Sequence, residues 1–287
     1  MLRTAPIHQL LELFTFTPLA LRVLLLAAVP AMRVAVLGDS WALKGSPAMR
    51  DVLAPLGFNV SVSFARGGAL ACMLAQFPAE KWGVDTTDFV WLSSGINDIR
   101  LARQSGETAD ALPAKFVECH VMLLRNLFRA NPALHVVHFG YDLLCSPSFL
   151  RPACVRCGWG APANASLQVE DECSKDNAEC FNRMTRRLQR SLDSINGLHR
   201  LVQRTSEMQL PRDSAVFRSA LAAGGSYTVL DLQGALQAEG GMDARVGRPD
   251  LASFSPAKFY QPDCLHPNQD GMRILMRRMA ERYFQKQ

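Results

Sequence analysis

Ser40 follows the apolar run Val34-Ala35-Val36-Leu37 in the segment Gly38-Asp39-Ser40, and near the other end of the chain stands Asp263-Cys264-Leu265-His266-Pro267. Hydrolysing an ester through a serine needs an exposed hydroxyl, a base placed to take its proton, and donors for the developing oxyanion. A serine at the exit of a buried strand supplies the hydroxyl. Asp263, three residues before His266 in a loop tightened by Pro262 and Pro267, supplies an oriented base. The carboxylate can reach Nδ1 and fix the tautomer, which leaves Nε2 for the serine. Each half alone reads more simply, Gly-Asp-Ser as a β-turn and Asp-x-x-His as a helix approach with an incidental acid. Together they fit one mechanism.

Two intervening segments offer the donors, Gly67-Gly68 and Gly95-Ile96-Asn97-Asp98. A glycine presents its backbone N–H with no side chain in the way, and an Asn amide adds a neutral donor. Gly68 and Asn97 are the candidates, with the Ser40 amide as a third donor; Gly67 can stand in for Gly68, since the doublet does not show which amide faces the pocket. The other histidines compete poorly as the base. His8 lies in the N-terminal segment, His120 and His199 lie in helical patterns, and His135 and His138 read as packing or edge residues of a strand.

These residues need a scaffold that brings distant segments to one face. Apolar runs of strand length, Arg33–Leu37, Asn59–Phe64, Phe89–Ser93, Leu134–Phe139 and Tyr227–Leu232, alternate with helical stretches near Pro47–Leu56, Ala69–Gln76, Pro113–Arg129 and Asn182–Arg204. That alternation marks βαβ units and a parallel sheet. A last helix is expected over Gln269–Phe284, with Pro267-Asn268 at its start. In such sheets ligands bind outside the C-terminal strand ends, where Ser40, the glycine doublet and Asn97 all fall. The segment Tyr141–Cys180 is too long for an ordinary connection and is rich in Cys, Pro and Gly, so it reads as an insertion after the fourth strand, at the rim of the same face.

Gly38-Asp39-Ser40-Trp41-Ala42-Leu43-Lys44-Gly45, Gly68, Gly95-x-Asn97-Asp98 and Asp263-x-x-His266-Pro267-Asn268 occur in the order of the SGNH (GDSL-type) hydrolases, which the chain resembles through all four blocks. The resemblance implies a three-layer α/β/α, flavodoxin-like fold with a five-stranded parallel sheet. It also implies Ser40 as nucleophile, His266 as base, Asp263 as the acid that orients it, and an oxyanion hole of the Ser40 amide, Gly68 and Asn97. The family acts on esters of many kinds, lipid and glycan esters included, without a metal or other cofactor. A carboxylic ester hydrolase is the expectation. An acyltransferase on the same site, or a silent member of the fold that binds carbohydrate or lipid, are the alternatives. Two departures stand out. Trp41 replaces the motif's Leu and either walls the acyl pocket or packs in the core, and Phe64-Ala65-Arg66 precede Gly67 where the family carries an Asn.

The chain of 287 residues is 48% hydrophobic and 20% charged, a globular composition that excludes disorder. One domain over residues 32–287 is expected, as a monomer. A net charge of +5 is too modest to indicate a nucleic-acid partner. The stripe Arg183, Arg186, Arg187 and Arg190 reads as a solvated helix face, with contact to an anionic lipid surface or a nucleic acid as the sharper alternative. Residues 1–31 form a leader whose apolar core is Val23–Val29, followed by Pro30-Ala31. It reads as a secretion signal for a secreted or lumenal protein, or else as a membrane-associated segment. Five of eight cysteines, Cys145, Cys154, Cys157, Cys173 and Cys180, crowd the insertion, which suggests disulfides and an oxidising compartment, with zinc as the alternative. Cys264, or one of Cys72 and Cys119, is expected to pair with the odd cysteine of the insertion, unless it is a buried thiol that fills space.

Overall fold

Strand β1 (Met32–Gly38) is apolar because it runs inside the sheet, with β2 (Phe58–Ala65) on one side and β3 (Phe89–Ser93) on the other. Covered on both faces, Val34, Ala35, Val36 and Leu37 are fully buried. β2 is one of the two edge strands, and its first residues alternate, with Phe58 and Val60 buried and Asn59 and Ser61 exposed. Strands β4 (His135–Phe139) and β5 (Ser226–Leu230) complete an all-parallel sheet of order β2-β1-β3-β4-β5. That is the flavodoxin-like order, whose switch point lies between β1 and β3. The computed structural model describes residues 31–98, 111–142, 197, 200, 214–240, 257–261 and 266–286.

Helices α1 (Ser40–Leu53), α2 (Ala71–Gln76), α3 (Ala111–Ala130), α4 (Ala215–Ala222), α5 (Ala235–Glu239) and α6 (Gln269–Arg282) cover the sheet on both faces. α1 packs on α6, α2 on α3, and α3 on α4. The result is a three-layer α/β/α sandwich. All five strands fall where the apolar runs place them, within two residues at each end. The stretch Asn182–Arg204, apart from Gly197 and Arg200, and the insertion beyond Asp142 lie outside the described residues, as does the leader up to Pro30.

α1 departs from the expectation. It begins at Ser40, seven residues before Pro47, and carries that proline inside it. A proline at this position has no N–H for the carbonyl of Leu43 one turn back. Ser46 compensates, its hydroxyl donating to the Leu43 oxygen at 3.1 Å. Gly45 lets the helix lie close on the sheet, since a Cβ there would sit 2.7 Å from the Trp91 ring.

Trp41 is fully buried and packs edge-on against Tyr141 at 5.1 Å between ring centroids, with Phe139 at 5.9 Å. Phe139 in turn meets Trp91 edge-on at 5.4 Å. The large residue beside Ser40 is therefore a core anchor, which fixes the first turn of α1 on the sheet. Tyr141, the first residue of the expected insertion, belongs to this core.

Candidate active site

The exits of β1, β2 and β3 are laced together at backbone level. Asp39 N donates to the Ser93 carbonyl at 3.0 Å, and Arg66 N donates to the Gly38 carbonyl at 3.0 Å. Gly38 has φ +144°, and a Cβ on it would lie 2.1 Å from the Ser93 carbonyl oxygen, so only glycine fits the crossing. The chain then turns at once into α1.

Asp39 caps that helix. Its buried carboxylate accepts from Trp41 N at 2.9 Å, from the Ser93 hydroxyl at 3.0 Å and from the Tyr141 hydroxyl at 2.5 Å. The Tyr141 oxygen also accepts from Ile96 N at 3.5 Å. One carboxylate thus ties the first turn of α1 to β3, to the Gly95–Asp98 segment and to the exit of β4. Burial pushes its pKa up, and the bonds from Tyr141, Trp41 and Ser93 oppose that shift. Burial and the neighbouring Asp39 charge hold the Tyr141 phenol well above its usual range, so it stays a donor.

Ser40, partly exposed, opens the helix, and His266 Nε2 lies 2.8 Å from its Oγ. The two residues are 226 positions apart. His266 is held by a short clasp in which Tyr260 and Pro267 form an antiparallel bridge. Gln261 N donates to the His266 carbonyl at 2.8 Å, and Asn268 N donates to the Phe259 carbonyl at 2.9 Å. Asn268 then caps α6, its side chain accepting from Gly271 N at 3.0 Å. Asp263 and Cys264 lie outside the described residues.

Gly68 sits in the turn after β2, closed by Ala69 N donating to the Arg66 carbonyl at 3.1 Å. Its φ of +80° is the left-handed value that the third residue of a type II turn requires, a demand not made on Gly67. Asn97, buried, reaches this turn and donates one amide hydrogen to the Ala69 carbonyl at 3.1 Å. Its neighbour Asp98 takes Ala71 N on both carboxylate oxygens, at 3.1 and 3.2 Å. The two candidate donors therefore lie on loops that grip each other.

Asp98 went unassigned in the sequence, where it is one letter of a motif. Burial pushes its carboxyl up to about 7; the Ala71 amide opposes this, Asp39 adds to it and Lys115 opposes it. The folded protein thus holds a proton that the unfolded chain releases near 3.8, so this group's contribution to stability falls as pH rises between those values. Asp98→Asn keeps an acceptor for Ala71 N and removes the titration. Its melting temperature relative to the parent is expected to rise from pH 4 to pH 7 and stay level above, as thermal melts across that range would show.

Cys72 on α2 is bonded to Cys119 on α3. This overturns the expectation that either pairs with the insertion. The bond fastens the helix that follows the Gly68 turn. A cross-link over 47 residues is worth about 2–4 kcal/mol. Reduction, or Cys72→Ser, is expected to lower the melting temperature by several degrees, as calorimetry with and without a reductant would show.

Beneath the Gly95–Asp98 segment runs a second buried polar chain, whose direction follows from its ends. His120 Nδ1 faces the Phe116 carbonyl at 3.0 Å and must donate to it. Burial lowers the His120 pKa to about 4, so the ring is neutral and its Nε2 accepts from the Ser94 hydroxyl at 2.8 Å. His138 Nε2 then donates to Ser94 Oγ at 3.4 Å, and its Nδ1 accepts from the Tyr227 hydroxyl at 2.7 Å. His138 is a core residue of an interior strand, and this chain ties β3, β4, β5 and α3 under the site.

The chain is similar to several solved structures. A protein from Streptococcus pneumonia named for platelet activating factor superposes with a TM-score of 0.51 at 12% identity, over 91% of this chain and 88% of that one. A carbohydrate esterase family 3 protein from Talaromyces cellulolyticus gives 0.48 at 13% identity, over 89% and 97%. An acetyl-xylooligosaccharide esterase from Geobacillus Stearmophilus gives 0.44 at 14% identity, over 87% and 93%. No family model matches the chain, and neither does any curated protein. The three-layer α/β/α fold is consistent with that of the SGNH hydrolases, whose four sequence blocks the chain resembles.

Proposed function

We propose that the chain is a serine hydrolase of carboxylic esters, working through an acyl-enzyme on Ser40. The observation that carries this reading is the 2.8 Å contact of His266 Nε2 with Ser40 Oγ, across 226 residues, at the C-terminal end of a parallel sheet. The loops of Gly68 and Asn97 meet beside that end of the sheet, through the Asn97 bond to the Ala69 carbonyl. The reading rests on the site.

Ser40 Oγ attacks the ester carbonyl carbon while its proton passes to His266 Nε2. The new oxyanion is held by the Ser40 and Gly68 amides and by the Asn97 amide, whose second hydrogen points away from Ala69. Asp263 orients His266 and stabilises the imidazolium. The tetrahedral intermediate collapses, the alcohol leaves with the proton from His266, and the acyl group stays on Ser40. Water, deprotonated by the same His, then releases the acid. Substrates are small-molecule, lipid or glycan esters. Turnover of p-nitrophenyl esters of graded chain length, with acetylated sugars in the same panel, tests the reading and narrows the acyl group. No hydrolysis of any of them would count against it.

A further inference from the structure

Lys44 stands one turn after Ser40 on the same face of α1. Its Nζ donates to Gln261 Oε1 at 2.7 Å, a contact across 217 positions. Gln261 is the last described residue before the segment that leads to His266, and its side chain turns back to the far end of that segment, Nε2 donating to the Pro267 carbonyl at 3.3 Å. Its backbone N–H already holds the His266 carbonyl. The Gln261 amide therefore fills a gap between the helix that carries the nucleophile and both ends of the loop that carries the base. Gly271 completes the seat of that loop: a Cβ there would lie 2.3 Å from the Phe259 carbonyl, so only glycine lets α6 close against the clasp.

We propose that Lys44 and Gln261 act as positioning residues, a bracket that sets the separation of Ser40 Oγ and His266 Nε2. The inference rests on the Ser40–His266 reading above and names what holds that pair in register. The clasp leads into α6, which packs on α1, and Lys44 adds a direct tie from the clasp to the first turns of the nucleophile's helix. The lysine ammonium and the glutamine amide share one hydrogen bond with a charged donor, a strong type. Losing Lys44 releases the tie to α1, and losing Gln261 releases that tie together with the bond to Pro267. Because a shift of about 1 Å at a reacting pair can cost as much as 100-fold in rate, a bracket of this kind acts on kcat and leaves ground-state binding alone.

The test compares Lys44→Met, Gln261→Leu, the double variant and Lys44→Arg with the parent in the full chain. Three quantities are measured on each: kcat and KM for p-nitrophenyl acetate, the melting temperature, and the ¹⁵N shift of the His266 Nε2 nucleus. Each single variant is expected to lose on the order of tenfold in kcat with KM unchanged. The double variant is expected to lose no more than the worse single, and Lys44→Arg to recover most of the loss. The His266 shift should move in the single variants toward its value in Ser40→Ala. Parent-like kcat in Lys44→Met, or losses that multiply in the double variant, would overturn the bracket while leaving the esterase reading intact. An unmoved His266 shift would overturn it even if the chain turned over no ester.

Discussion

Ser40→Ala and His266→Ala are each expected to lose on the order of 10⁴–10⁶ in kcat on a p-nitrophenyl ester, and the double variant is expected to lose no more than the worse single. The reason is the shared bond. A hydroxyl without its base is a poor nucleophile near neutral pH, and a base 2.8 Å from no hydroxyl has nothing to deprotonate. Neither change should unfold the chain. Ser40 and His266 are both only partly buried, and the clasp keeps its backbone bonds without the imidazole. Asn97→Ala should be milder, about 10²–10³, because one oxyanion donor goes while the nucleophile and base remain. Steady-state kinetics on the four proteins, with circular dichroism to confirm folding, reads the whole set.

Gly38→Ala is expected to destabilise the chain strongly. The residue sits at φ +144°, where an L side chain is strained, and the added carbon would meet the Ser93 carbonyl at 2.1 Å. That oxygen is itself bonded to Asp39 N, and Gly38's own carbonyl accepts from Arg66 N, so neither strand can yield without breaking the other's lacing. Strain and overpacking together cost on the order of 3–5 kcal/mol. Gly67→Ala is the control, since it has no positive φ and nothing within 4 Å of the added carbon. Urea denaturation of both should show a large loss of midpoint for the first and almost none for the second.

The site was legible wherever chemistry and element boundaries coincide. Ser40, Gly68 and Asn97 follow parallel strands that end in glycine or a turn, so topology alone sends them to one face. The start of α1 was hidden because Pro47 is a strong opening signal for a helix, and nothing local says that Ser46 will take over the carbonyl the proline leaves unpaired. Asp39 looked like a turn acid. Its role as a buried cap depends on Ser93 and Tyr141, which lie 54 and 102 residues away. Tyr141 was counted with the insertion because it borders a Cys- and Pro-rich stretch, although its ring belongs to the core. The Cys72–Cys119 bond and the Lys44–Gln261 contact share a cause for staying hidden. Both join elements that only the packed sheet brings together, and spacing along the chain carries no trace of either.

If Ser40 is a nucleophile activated by His266, it should react with an electrophile that mimics the acyl-transfer transition state. Treating the native chain with a fluorophosphonate and mapping the adduct by mass spectrometry tests this without knowing the substrate. One phosphonyl group is expected on Ser40, formed rapidly in the parent and very slowly in His266→Ala. A native, folded chain that takes up no label at Ser40, or labels equally fast without His266, would contradict it.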